Sequence, residues 1–87
     1  MRIELYTSAF CAPCHAAAAS VEEAVRLVPA LTSVTRDVAM APDEAEARDI
    51  LATPTIVLTD DAGVELFRAA GAPTVPQLLT AIAAHRD

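Results

Sequence analysis

The chain contains no tryptophan and no lysine, only two glycines and two cysteines, and three aromatic side chains, Tyr6, Phe10 and Phe67. Each shortage removes a class of function. With lysine absent, all side-chain positive charge rests on Arg2, Arg26, Arg36, Arg48, Arg68 and Arg86, set against twelve acids for a formal net charge of −6. These arginines are scattered and form no basic stripe, so nothing is present to hold a phosphate backbone and no nucleic-acid partner is expected. Two cysteines this close together do not make the disulfide framework of a small secreted domain. No run reaches the ~20 apolar residues that cross a bilayer, so no membrane partner is expected either. Met1 to Tyr6 enters a strand pattern directly, without the apolar stretch of a secretory signal. The expected location is the cytoplasm, where a close cysteine pair is more often catalytic or metal-binding than structural.

What the chain does have is alanine, 20 residues of 87, within an apolar fraction of 54%. That fraction excludes disorder, and the length bounds the chain to one domain, residues 1–87. A core built mainly from Val, Ile, Leu and Ala should be thin, and helices should form readily because Ala has the highest helix propensity.

Periodicity then orders the chain. Ile3 to Tyr6 reads as a short buried strand followed by the loop Thr7-Ser8-Ala9-Phe10. From Ala12 to Val28, Cys14, Ala17, Ala18, Val21, Val25 and Val28 recur at helical steps, with Pro13 in the first turn and Pro29 as the stop. Ser33 to Val38 alternates and carries charge, as an edge strand does. Pro42, Asp43 and Glu44 open a second helix expected to run to about Leu51, with Ala47, Ile50 and Leu51 facing inward. Thr55 to Thr59 and Val64 to Arg68 flank Asp60-Asp61-Ala62-Gly63 as a hairpin. Thr74 and Gln77 form a capping box for a last helix that carries Val75, Leu78, Leu79, Ile82 and Ala83. A strand–helix–strand unit followed by a hairpin and a helix predicts an α/β fold with a four-stranded mixed sheet and helices on both faces.

Cys11-Ala12-Pro13-Cys14 lies between the first strand and the first helix. Thiols at this spacing can close a small disulfide ring, and a helix N-terminus favours thiolate through its partial positive charge and unpaired N–H groups. Two other chemistries share the motif. With His15 it reads Cys-x-x-Cys-His, a c-type haem attachment pattern, for which Met40 or His85 could be a second axial ligand. The scarcity of aromatics to wrap a porphyrin and the strands that follow oppose it. Cys11, Cys14, His15 and His85 also count to four zinc ligands, but no matching second half-site is present. His15 is either a solvent-facing residue of the first turn or a charge that tunes Cys11. His85 suits a helix C-terminus, Met40 a gap in packing, and Asp43, Glu44 and Glu46 a solvated face.

Cys11-Ala12-Pro13-Cys14, followed by Thr53-Pro54-Thr55 ahead of a hairpin and by Gly71 before the last helix, resembles the thioredoxin fold in a minimal, glutaredoxin-sized βαβαββα form. The likeness covers Arg2 to His85. It implies a thiol–disulfide oxidoreductase, a protein-disulfide reductase in which Cys11 attacks a substrate disulfide and Cys14 resolves the mixed disulfide. It implies a cis Pro54 packed against the pair, with Phe10, Ala12, Pro13, Thr53 and Pro54 meeting the substrate and Tyr6 with Phe10 as an apolar rim or Tyr6 as core. No metal and no cofactor is implied beyond the Cys11–Cys14 disulfide. The implied partners are disulfide-containing proteins and an upstream flavoprotein similar to thioredoxin reductase, with the chain itself a monomer.

The chain departs from the family pattern in several places. Phe10 stands where larger thioredoxins carry Trp, and Leu5 where they carry a buried acid. The larger members' additional N-terminal strand and helix are missing. The segment Arg68 to Pro73 lacks the Gly-Gly-x-Asp-like stretch of glutaredoxins, which argues against glutathione. A domain of this fold that senses redox state or docks a partner without turnover is the second reading, because fold does not fix function.

Overall fold

The protein is described by a computed structural model covering residues 1–86. Its elements run β1 (Arg2–Thr7), α1 (Ala12–Leu27), β2 (Thr32–Asp37), α2 (Pro42–Ala47), β3 (Thr55–Thr59), β4 (Glu65–Ala70) and α3 (Val75–His85). The sheet order is β2-β1-β3-β4. β1 pairs in parallel with β2 and antiparallel with β3, and β3 pairs antiparallel with β4. The expected α/β architecture, with β2 at an edge and helices on both faces, is what forms. No helix among the described residues is long and apolar enough to cross a membrane.

Side chains alternate along β1 and β3, and each face finds its own cover. Ile3, Leu5, Ile56 and Leu58 pack with Ala17, Val21 and Ala24 of α1 and with Leu78 and Ile82 of α3. Tyr6 and Val57 pack on the other face with Ala45 of α2. Cover on both faces of β1 explains why the strand shows so little polar alternation. Small alanines at the α1 contact let that helix lie close to the sheet. The hairpin closes on Asp60, whose carboxylate accepts the Ala62 and Val64 N–H groups at 2.9 Å, with Gly63 at φ +87°. The Thr74–Gln77 capping box is reciprocal, at 3.3 and 2.8 Å.

Several expectations need correction. α2 ends at Ala47 rather than Leu51. Asp49 takes a left-handed conformation at φ +54°, the Asp49 N–H donates to the Glu46 carbonyl and the Ile50 N–H to the Ala45 carbonyl, at 3.0 and 2.9 Å. That pair of bonds is a Schellman cap, which terminates a helix and turns the chain away. Ala45 therefore faces inward, Ile50 is half-buried, Ala47 is exposed, and Leu51 is 96% exposed. In α3, Ala81 is buried and Ala83 exposed. Met40 fills no gap, being 84% exposed. Of the two readings of Tyr6, core is the one that holds, its side chain being buried.

The arginines are scattered in sequence but not in space. Glu4, 2% exposed at the centre of β1, collects three of them. Arg48 grips its carboxylate through Nε and Nη2 at 3.0 and 3.1 Å, Arg2 donates at 3.2 Å, and the Tyr6 hydroxyl donates at 2.6 Å. Arg36 stands 3.7 Å away. Arg48 also donates to the Gly63 carbonyl at 2.9 Å, and Arg68 donates to the carbonyls of Arg48 and Asp49. One buried acid thus ties α2, the hairpin and the second strand to β1. Burial alone would push the Glu4 carboxyl up; the bonds from Arg48, Tyr6 and Arg2 and the Arg48 charge outweigh it and hold the group low.

A carboxyl held low in the fold stabilises above its ordinary value of 4.5, and that stability fades as pH falls through the lower folded value. Glu4→Ala, which strands Arg48 and Tyr6, is expected to lose about 3 kcal/mol in urea unfolding at neutral pH. The gap between parent and Glu4→Gln is expected to narrow as unfolding is repeated from pH 7 down to pH 2.5. A gap that stays constant over that range contradicts the assignment.

Candidate active site

β1 ends at Thr7, and its chain continues through Ser8, Ala9 and Phe10 to Cys11 at the carboxyl end of the strand, where open α/β sheets place their sites. Cys11 is the N-cap of α1, with extended backbone at φ −112° and ψ 96° and no side-chain cap. Pro13 falls in the first turn, and that turn carries no acid. The Cys14 N–H points back and donates to the Cys11 carbonyl at 3.2 Å. No carboxylate therefore opposes the positive end of the helix at the cysteines, and the reduced Cys11 sulfur would occupy the position of a capping acceptor.

Cys11 and Cys14 are joined by a disulfide, with Cα atoms 5.3 Å apart. Their burial differs: Cys14 is 6% exposed and faces inward with Ala17 and Val21, while Cys11 is half-buried. A cleft of about 350 Å³ opens over the pair, lined by Thr7 to Cys11, Cys14, His15 and Ala18. Phe10 is fully exposed at its rim and adopts a left-handed φ of +57°, a conformation that costs a side-chain-bearing residue free energy and recurs at functional sites. Ala12, Pro13 and His15 are exposed beside it.

The segment Thr53-Pro54 is brought to the same end of the sheet because β3 runs antiparallel to β1. The Thr53–Pro54 peptide bond is cis. Three hydrogen bonds hold this loop. The Ser8 and Thr53 hydroxyls meet at 2.6 Å, the Thr55 hydroxyl donates to the Ala52 carbonyl at 2.6 Å, and the Gly71 N–H donates to the Pro54 carbonyl at 2.9 Å. Gly71 makes that last bond from φ +86°, which accounts for glycine there. Pro54 is buried and Thr53 half-buried.

The candidate haem and zinc ligands do not assemble. Each cysteine sulfur is bonded to the other, and His85 lies at the far end of the sheet, its ring centroid 6.3 Å from that of Phe67. Among the described residues no group of three or more His, Cys, Asp and Glu side chains could hold a metal. Leu5, at the position of the larger proteins' acid, is fully buried among apolar neighbours. Two features escaped the sequence reading. In sequence Ser8 is one residue of the Thr7–Phe10 loop and gains its partner only through strand register; nothing local to Glu4 signals its cluster.

No family model matches the chain. It is 40% identical over 83 residues to the thioredoxin of Methanocaldococcus jannaschii, a match covering 94% of this chain and 92% of that one. Among solved structures it is similar to Fasciola hepatica thioredoxin at 27% identity and a TM-score of 0.85, covering 98% of this chain and 80% of the other. It is also similar to mitochondrial thioredoxin 3 of Saccharomyces cerevisiae in its oxidised form, at 25% identity and a TM-score of 0.83, covering 95% and 76%. Thioredoxin 1 of Thermosipho africanus, at 19% identity, shares the fold with a TM-score of 0.84 over 98% and 93%. Likeness of this extent to a thioredoxin along nearly the whole of both chains means that this chain belongs to the thioredoxin family, as a protein thiol–disulfide oxidoreductase whose redox-active group is the Cys11–Cys14 disulfide.

Proposed function

We propose that the protein reduces disulfides of other proteins, with Cys11 as the attacking thiol and Cys14 as the resolving one. The observation that carries this reading is the unequal burial of the two sulfurs' residues: Cys11 half-buried at the rim of a cleft, Cys14 6% exposed one turn inward. Only the former is open to a large partner.

In the reduced protein the Cys11 thiolate attacks one sulfur of the substrate disulfide. A Cys11–substrate bond forms, the substrate S–S bond breaks, and the departing sulfur leaves as a thiolate that takes a proton from water. The Cys14 thiol then gives its proton to solvent, making up the one the first leaving thiolate took, and attacks the Cys11 sulfur. The Cys11–Cys14 bond forms, the mixed disulfide breaks, and the second substrate sulfur leaves as thiolate. Two electrons pass to the substrate, and the pair is left oxidised. The helix N-terminus stabilises the attacking thiolate. A second dithiol or a flavoprotein reductase must then return two electrons to the pair, and a flavoprotein similar to thioredoxin reductase is the source we assign.

Phe10, Ala12 and Pro13 would meet the substrate beside the sulfurs, and the main chain of Thr53, next to Pro54, would pair with an extended substrate segment. We assign the cytoplasm as the compartment, no bound cofactor beyond the disulfide, and action as a monomeric single domain.

Reduction of insulin with dithiothreitol as electron donor tests this directly. Cys11→Ser is expected to abolish catalysis. Cys14→Ser is expected to complete the first step only and to accumulate a mixed disulfide with the substrate, visible as a mass adduct on Cys11. A parent protein without turnover refutes the reading and favours a docking or sensing module. Separately, Phe10→Ala is expected to raise KM for insulin about tenfold, since an exposed aromatic beside the attacking sulfur supplies apolar area that becomes buried only on binding; an unchanged KM removes Phe10 from the substrate surface.

A further inference from the structure

The pairing of β1 with β3 runs from Arg2 opposite Thr59 to Tyr6 opposite Thr55. Continued two residues further, the same register sets Ser8 opposite Thr53. The main-chain ladder does not follow. Its last pair is Tyr6 with Thr55, and no main-chain hydrogen bond joins Ser8 to Thr53. Where the ladder stops, the two side chains take over: the Ser8 and Thr53 hydroxyls are 2.6 Å apart, across 45 residues of sequence. Among the described residues, Thr53 makes no main-chain hydrogen bond within the chain.

We infer that Ser8 is a positioning residue for the substrate-binding main chain of Thr53, an inference that rests on the reading of Thr53 given above. Threonine is β-branched and has few χ1 wells, so fixing its hydroxyl also fixes the direction of its main chain. Ser8 is attached to Cys11 through only two residues and lines the cleft over the disulfide. The hydroxyl pair therefore sets the distance between the attacking sulfur and the N–H and C=O groups that an extended substrate would pair with. It does this before substrate arrives, so the ordering is not charged to the binding step. Small disulfides without a peptide main chain draw no benefit from it.

The test compares insulin with dithiobis(nitrobenzoate), a small disulfide that has no main chain to pair. Removing one hydrogen bond that orders the site is expected to raise KM for insulin about five- to tenfold in Ser8→Ala, with kcat moving by less than about twofold. The rate with dithiobis(nitrobenzoate) is expected to stay within about twofold of the parent's on the same grounds. Ser8→Thr, which keeps the hydroxyl, should restore the parent KM. Thr53→Val should raise KM for insulin as far as Ser8→Ala does, and the double variant should raise it no further than either single one, because both remove the same bond. An unchanged KM in Ser8→Ala overturns the inference, as does an equal loss with both substrates, or a double variant whose losses multiply. A parent that reduces dithiobis(nitrobenzoate) but not insulin overturns the protein-reductase reading and this inference together, whereas an active parent with an indifferent Ser8→Ala overturns this inference alone.

Discussion

Everything in the molecule is hung on β1. It is paired on both edges, by β2 in parallel and β3 antiparallel, and covered on both faces. Its odd positions, Ile3 and Leu5, anchor α1 and α3; its even positions, Glu4 and Tyr6, anchor α2. Its carboxyl end delivers Cys11 to the head of α1. A strand fixed in four directions cannot slide, since a one-residue slip would exchange the apolar face with the ionic one. That immobility gives a chain of 87 residues a rigid frame for two sulfurs.

The two faces of β1 are held by different forces. On the α1 side the contact is wholly apolar and close, with alanine admitting the helix. On the α2 side a helix of six residues has too little apolar surface to hold itself down. The buried Glu4 compensates by drawing in Arg48 from its C-terminus, and Arg68 closes over the carbonyls that the Schellman cap leaves free. Such a buried pair adds little net stability over an apolar replacement, but it admits only one partner geometry, and breaking one half is costly. The ionic cluster thereby fixes where α2 ends and where the loop toward Thr53 begins.

Long, regular signals were legible in the sequence. α1 has 16 residues and a stripe of small apolar side chains at helical spacing, α3 announces itself through Thr74 and Gln77, and the hairpin turn is written in Asp60 and Gly63. The α/β layout follows from their order. The cysteine pair was legible for the same reason: its chemistry lies within four consecutive residues. What failed depended on an atypical local cap or on distant contacts. Aspartate is not the usual residue for a left-handed cap, so Asp49 gave no warning that α2 would stop and expose Leu51. Arg2, Arg36 and Arg48 look dispersed until the β1–β2 register and the helix cap bring them to one carboxylate. Ser8 becomes informative only after β1 and β3 are aligned.

The central claim is that the two cysteines are unequal, Cys11 outward and reactive and Cys14 inward. It is tested most directly by treating the fully reduced protein briefly with limiting iodoacetamide at neutral pH and locating the label by tandem mass spectrometry. On this account Cys11 carries at least about tenfold more label than Cys14, because thiolate character and access both favour it. Equal labelling, or label chiefly on Cys14, would contradict the assignment of attacking and resolving roles.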